Sequence, residues 1–347
     1  MSSMKNQPMP TGAVKLGQWA TVLLAFGALA LYPLVGGDYG LGLVTKTMIF
    51  AILALSLELL VGSTGLVCFG QAAFFGIGAY AAVLLSPQVD APSLLWLLPA
   101  CMGAAALYAL FVGSLSLRTK GVYFIMVTLA FAQMAYFIVH DTPLGGGTDG
   151  IYLYVKPVLG SWLDLDHALT LYGFTLFSLA LTFAFLAQLL RSRFGRALAG
   201  IRVNEQRMRA TGFSTYPYKL AAFVISGAIA GLAGFLFAVT DGYVNPEMLS
   251  WHLSGALLIM IILGGLGHLR GALIGAFAFA LLQEFFKSEA LFGAYAKHWQ
   301  LGLGLSIIAS VALLPTGLMG LAGLPARWRQ RRNAGHAADS EGDHGRA

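Results

Sequence analysis

Charge is what this 347-residue chain has least of: Asp, Glu, Lys and Arg together make up 10% of it, against about 25% in a soluble domain. So little charge cannot cover a water-soluble body of this size, which excludes a soluble enzyme or a free-standing binding domain. Cysteine is almost absent as well. Cys68 and Cys101 both lie inside apolar runs, without the spacing of a metal or redox pair, and read as packing residues. No Gly-Lys dipeptide occurs anywhere, so the chain cannot form a P-loop. The stretch GIGAYA at 76–81 lacks the third glycine of a dinucleotide fingerprint and sits inside an apolar run, not after a strand. The histidines at 140, 167, 252, 268, 298, 336 and 344 show no ligand spacing. The sequence offers no basis for catalysis, and no metal or cofactor is expected on this chain.

What is present is apolar: 58% of the residues, with 43 glycines among the rest. On a template of about 20 mostly apolar residues per span, candidates fall at 19–36, 43–62, 65–86, 94–117, 121–140, 169–190, 218–240, 253–266, 271–287 and 299–319. The eighth and ninth are short, so each is either a tilted span or a broken, re-entrant segment lined by protein. The expected fold is an all-α polytopic membrane protein of eight to ten transmembrane helices. It is framed by an N-terminal segment, 1–18, and a basic, polar tail, 323–347, that lacks apolar periodicity and reads as disordered.

Positive charge sets the orientation, since Lys and Arg stay on the cytoplasmic side. Lys5, Lys15, Arg118, Lys120, the run from Arg191 to Lys219, Arg270 and the stretch from Arg327 to Arg332 all fall on one side of ten spans. Asp38, Asp90, Asp141, Asp149, Asp164, Asp166, Asp241 and Glu247 fall on the other. Both termini are therefore expected in the cytoplasm, with the first span retained. The net charge of +6 is explained by topology and by lipid head groups, without nucleic acid.

Two polar loops are longer than a hairpin needs. In 191–217 the residues Phe194, Leu198, Ile201, Met208 and Gly212 recur at helical steps, with Glu205 on the same stripe and Arg202 and Arg209 within a turn of it. Two arrangements fit: docking of this stripe into a polar-lined groove on a partner, or an amphipathic helix lying on anionic lipid. The other loop, 140–168, carries Gly145, Gly146 and Gly147 among aromatic and aliphatic residues. It reads as an exoplasmic cap or docking surface, the alternative being a mobile connector.

Inside the apolar runs, Gly70, Gln71, Gly76, Gly78 and Tyr80 form one small-residue segment. It either packs helices closely or locally breaks a helix that lines a cavity in which Gln71 meets a polar substrate. Gly227, Gly231 and Gly234, and Gly264 through Gly275, read as close helix contacts. Glu58 and Glu284 are intramembrane carboxylates and so functional candidates, although Glu58 is one turn from a span end and within reach of the interface.

The segments SLELLVGSTGLVCFGQAAFFGIGAY at 56–80, LRTKGVYFIMVTLAFAQM at 117–134, GGGTDGI at 145–151, FGRALAGIRVNEQRMRATGFSTYPYKLAAFVISGAIAGLAGFLFA at 194–238 and LGGLGHLRGALIGA at 263–276 resemble the permease subunits of branched-chain amino acid ABC importers, specifically the M-type permease. The resemblance implies a permease fold in the bacterial inner membrane that pairs with a second permease subunit as a heterodimer. It also implies two cytoplasmic ATP-binding subunits carrying ATP and magnesium, and a periplasmic or lipid-anchored substrate-binding protein. It implies a coupling loop at Gly195, Arg196, Ala197, Ile201, Arg202, Glu205, Arg209 and Gly212, with Arg207 and Met208 where the family usually has two small residues. Glu58, standing where relatives commonly carry Asn, joins Gln71, Gly76, Gly78 and Tyr80 as the candidate translocation path. The resemblance implies a solute that is a branched-chain amino acid or a related small polar molecule such as urea, an amide or an aromatic acid, moved by alternating access. The other class that fits the composition is a stand-alone secondary transporter or channel.

Overall fold

The computed structural model describes residues 25–34, 37–87, 92–159, 163–288, 292–314 and 317–321. The expected N-terminal segment 1–18, the first part of the first apolar run, Asp90 and the tail 323–347 lie outside the described residues.

Among the described residues each apolar run contains a helix, because backbone inside lipid must satisfy its own hydrogen bonds. The tenth, 299–319, is not one helix: its first helix ends at Leu313 and a separate one starts at Leu318. The first helices are α1 (Ala25–Leu34), α2 (Asp38–Thr64), α3 (Gln71–Leu84), α4 (Leu94–Ser116), α5 (Val122–Asp141) and α6 (Ala168–Arg191). Two short polar helices follow, α7 (Arg193–Val203) and α8 (Glu205–Ala210). The chain then continues through α9 (Thr215–Asp241), α10 (Trp251–Gly264), α11 (Leu269–Lys287), α12 (Trp299–Leu313) and α13 (Leu318–Leu321). Helices α2, α4, α5, α6, α9 and α11 are long and apolar enough to cross a membrane. The protein is a polytopic, all-α membrane protein.

Two of these spans form the centre. Of the most apolar stretch in each, 83% is buried in α2 and 78% in α9, against 33% or less in the other four. Helix association in lipid has no hydrophobic drive, so it relies on small residues that let backbones approach. Helix α9 shows this along its length. A Cβ placed at Gly227 would collide with Ala109 of α4, and one at Gly231 would come within 2.6 Å of the Ala105 Cβ. On the opposite side, a Cβ at Gly234 would strike the Phe75 carbonyl of α3, and one at Gly78 would reach 2.5 Å from the Gly231 backbone. The buried thiols of Cys68 and Cys101 complete this packing.

The third run departs from the sequence expectation. It reads as one span at 65–86, but residues 65–70 are not helical and α3 begins only at Gln71. With 14 residues each, α3 and α10 are about 21 Å long and too short to cross a core of about 30 Å. Their first turns meet inside the protein, where the Ala72 N–H donates to Ser254 Oγ at 3.0 Å. From there α10 runs to the end of the bundle that holds α7, and α3 runs to the opposite end. The ninth run is longer than its sequence pattern suggests, since α11 has 19 residues.

The 140–168 loop folds against the α9–α10 connection. Ile151–Tyr152 pairs antiparallel with Tyr243–Val244, and Val158–Leu159 with Leu163–Asp164. The Leu153 N–H donates to the Gly242 carbonyl at 2.8 Å, the Tyr243 hydroxyl to the Asp149 carbonyl at 2.7 Å, and Leu153 and Leu165 are buried. At this end Lys46 pairs with Asp241 at 2.6 Å and Lys156 with Asp166 at 3.2 Å.

Candidate functional site

At the end of the bundle opposite that loop, residues 192–214 fold into two helices because two side chains cap them. Ser192 Oγ accepts from the Phe194 N–H at 3.2 Å and starts α7. Asn204, extended at φ −159°, breaks the helix, and its Oδ1 accepts from the Arg207 N–H at 2.9 Å to start α8. This corrects the single stripe expected through Glu205. The stripe exists in α7, but it faces inward: Gly195, Ala197, Leu198 and Ile201 are buried against the body of the protein. Exposed on α7 and α8 are Arg193, Arg196, Arg202, Val203, Gln206, Arg207 and Arg209, with Ala199 and Ala210. Arg202 turns back, its Nη1 donating to the Gly62 carbonyl at the end of α2.

Glu205 is likewise turned inward. Its Oε1 accepts from Lys219 Nζ at 2.9 Å, from Arg209 Nη2 at 2.6 Å and from the Thr215 hydroxyl at 3.0 Å. The Arg209 Nε also donates to Thr215 Oγ1 at 3.1 Å. Partial burial works against the charged carboxylate, but the bonds from Lys219 and Thr215 and the charges of Lys219 and Arg209 outweigh it and hold its pKa down at about 2. The Lys219 side chain is only 5% exposed, so the pair clamps α8 to the first turn of α9. Gly212 lies past the end of α8 at φ +81°, where an L-residue is strained, and not on the helix as its spacing suggested. Beyond it, Phe213 packs on Tyr218 with centroids 4.7 Å apart.

The candidate path residues occupy different surroundings. Gln71 is fully buried, its Nε2 donating to Ser56 Oγ at 2.6 Å and Ser226 Oγ at 3.1 Å, while its Oε1 has no partner. Ser56, Ser226 and Ser254 thus join α2, α3, α9 and α10 through one polar knot. Gly76 abuts Leu249, on the short turn Pro246–Leu249 that dips between α3 and α5, and Gly78 abuts Gly231. Tyr80 is buried, with an unpartnered hydroxyl, beside an open apolar cleft of about 280 Å³ bordered by Ile77, Leu84, Ile138 and Thr142. Glu58 does not reach the interface. It is 2% exposed, and its Oε1 accepts from the Gly267 N–H at 2.7 Å in the α10–α11 turn. Glu284 lies near the end of α11 and accepts from the Tyr39 hydroxyl at 2.6 Å.

Sequence reading noted His252 only for lacking ligand spacing and passed over Trp251. They open α10 at the depth of the polar knot, stack at 3.9 Å and are both exposed. A histidine exposed at that depth is costly against lipid. The signal was available in the Pro246 turn before a short apolar run, which marks a broken segment.

A family model described as "Branched-chain amino acid transport system / permease component" matches residues 40–313. The "High-affinity branched-chain amino acid transport system permease protein LivM" of Escherichia coli K12 is 31% identical over 325 residues, covering 86% of this chain and 74% of that protein. Its counterpart in Salmonella typhimurium is 30% identical with the same coverage. The "Probable branched-chain amino acid transport permease protein LivH" of Methanocaldococcus jannaschii is 23% identical, covering 81% of this chain and 91% of that protein. No solved structure matches the chain significantly.

Proposed function

Since the chain belongs to the branched-chain amino acid transport permease family, we propose that it is one half of the pore of an ATP-driven importer. The other half is a second permease. Greater identity to LivM than to LivH relatives supports an M-type role in that pair. Energy comes from two separate ATP-binding subunits that carry ATP and magnesium, because this chain cannot form a P-loop. A binding protein delivers the solute at the face where the 140–168 loop packs on Tyr243–Val244. The basic end, with α7 and α8, faces the bacterial cytoplasm. The solute is a branched-chain amino acid or a similarly small polar molecule, and it passes by alternating access near the meeting of α3 and α10, where Gln71, Trp251 and His252 lie.

The observation that carries this reading is the inward anchoring of α7 and α8. Their apolar stripe and Glu205 bind the permease itself, which leaves a rigid, arginine-bearing surface of Arg193, Arg196 and Arg207 directed outward. A surface held that firmly transmits a push, and its charge suits an acid-lined groove. Reversing Arg196 to Glu should abolish copurification of the ATP-binding subunits while the permease pair still assembles. Undiminished copurification would remove α7 and α8 from the energy-coupling contact and favour a lipid-facing role.

A further inference from the structure

Three features, two of them on α2, converge on one point beneath α7. The first is the C-terminal turn of α2, where Arg202 Nη1 donates to the Gly62 carbonyl. The second is the turn between α10 and α11. A Cβ built at Gly267 would lie 3.4 Å from Arg202 Nη1, and one at Gly65, after α2, would lie 3.5 Å from the Arg202 Cγ. Both glycines have positive φ, +89° and +75°, so their backbones reach the arginine without a side chain between. The third is the Glu58 carboxylate of α2. Its Oε1 accepts from the Gly267 N–H, in the same turn that Arg202 Nη1 approaches.

The carboxylate is enclosed from the other side as well, since a Cβ at Gly62, one turn on, would collide with it. Its second oxygen, Oε2, is buried and has no hydrogen-bond partner. A buried carboxylate oxygen left without a donor is costly, and the nearby cation spends its bond on the Gly62 carbonyl. The arrangement therefore holds an unused acceptor beside a donor with an alternative position. The α10–α11 hairpin responds as one body, because Gly264, Gly271 and Gly275 bring its two helices into backbone contact.

We propose that Arg202 is a positioning residue that, through Glu58, passes displacement of α7 to the α10–α11 hairpin, and so to Trp251 and His252 at the far end of α10. This rests on the reading of α7 and α8 as the surface that meets the ATP-binding subunits, and it adds the route inward from that surface. Arg202 shifts between the Gly62 carbonyl and Glu58 Oε2 as α7 moves. Glu58 holds the Gly267 amide, so the hairpin follows.

The test uses the complete reconstituted importer with Glu58→Gln, Arg202→Gln, the double variant and Arg202→Lys. Assembled complex, ATP hydrolysis and uptake of radiolabelled leucine are quantified together. Each single glutamine variant should assemble and lower uptake per ATP hydrolysed by about tenfold. The double should be no worse than the poorer single, because both act on one link, and Arg202→Lys should recover part of the loss. Uptake per ATP unchanged in the singles, or defects that multiply to about a hundredfold in the double, would overturn the proposal. So would loss of assembly in all four variants, which would make the cluster a folding element only. The docking reading fails differently, through Arg196→Glu that keeps its ATP-binding subunits.

Discussion

Replacing Glu205 by Gln removes the charge on which Lys219, Arg209 and Thr215 converge, and keeps the size of the side chain. The fall of its pKa from 4.5 to about 2 corresponds to roughly 3 kcal/mol of preference for the charged form. Screening at a site partly open to water reduces this to about 1–2 kcal/mol. The change also leaves the Lys219 ammonium, 5% exposed, without its carboxylate. Helix α8 has six residues, too few to persist alone, so the loss should appear as local opening of 204–214 rather than global unfolding. An energy of 1–2 kcal/mol raises the open population about five- to thirtyfold. Trypsin cleavage at Arg207 in inside-out vesicles, scaled to a denatured control, reads that population when closing outpaces cutting. Adding Lys219→Met should restore part of the protection by removing the stranded cation. The carboxylate's pKa is depressed, so its contribution is complete above about 4.5 and is lost as pH falls toward 2. The wild-type rate should therefore be flat from pH 6 to 8. A Glu205→Gln rate within about twofold of wild type would refute the clamp, as would a wild-type rate that changes severalfold across that pH range.

Gly76→Ala should overpack against Leu249 and lower the amount of assembled permease, with a cost of about 1–3 kcal/mol; adding Leu249→Ala should recover it, and quantitative immunoblotting of membranes measures both. A cysteine at Tyr154, exposed in the loop beside Tyr243, should react with an impermeant thiol reagent in intact cells, and one at Ser214 should not; the opposite pattern would invert the topology. Ser161, in the same loop, is a further labelling position that lies outside the described residues.

Apolar runs were legible because transfer to lipid depends on composition: each contains a helix among the described residues, with ends that shift by several residues and the tenth divided between α12 and α13. The small residues from Gly70 onward allowed for a local break, but composition could not place it at 65–70, whose Leu66, Val67, Cys68 and Phe69 are as apolar as any span. What ends the helix there is Gly65 at φ +75°, the tertiary bond from the Phe69 N–H to Thr128 Oγ1 at 3.3 Å and the local bond from the Gly70 N–H to Cys68 Sγ at 3.3 Å. The spacing of Phe194, Leu198 and Ile201 located α7 correctly. Extending that period through Met208 overlooked Asn204, a residue that favours helix starts over helix interiors. The direction of a stripe was not available from spacing either, because a permease-facing and a partner-facing stripe share one pattern. Glu58 was misplaced for a related reason. Distance along its own helix put it near the interface, while the α10–α11 turn and Arg202, both distant in sequence, cover it.

The central claim is that this chain moves solute only as part of an assembly driven by ATP on other subunits. Purified permease pair, ATP-binding subunits and binding protein are reconstituted in proteoliposomes, and uptake of radiolabelled leucine is followed with and without ATP, and with an ionophore that collapses ion gradients. Uptake should require ATP and all the subunits, and should be indifferent to the ionophore. Uptake by this chain alone, abolished by the ionophore and independent of ATP, would contradict the account and identify a stand-alone secondary transporter.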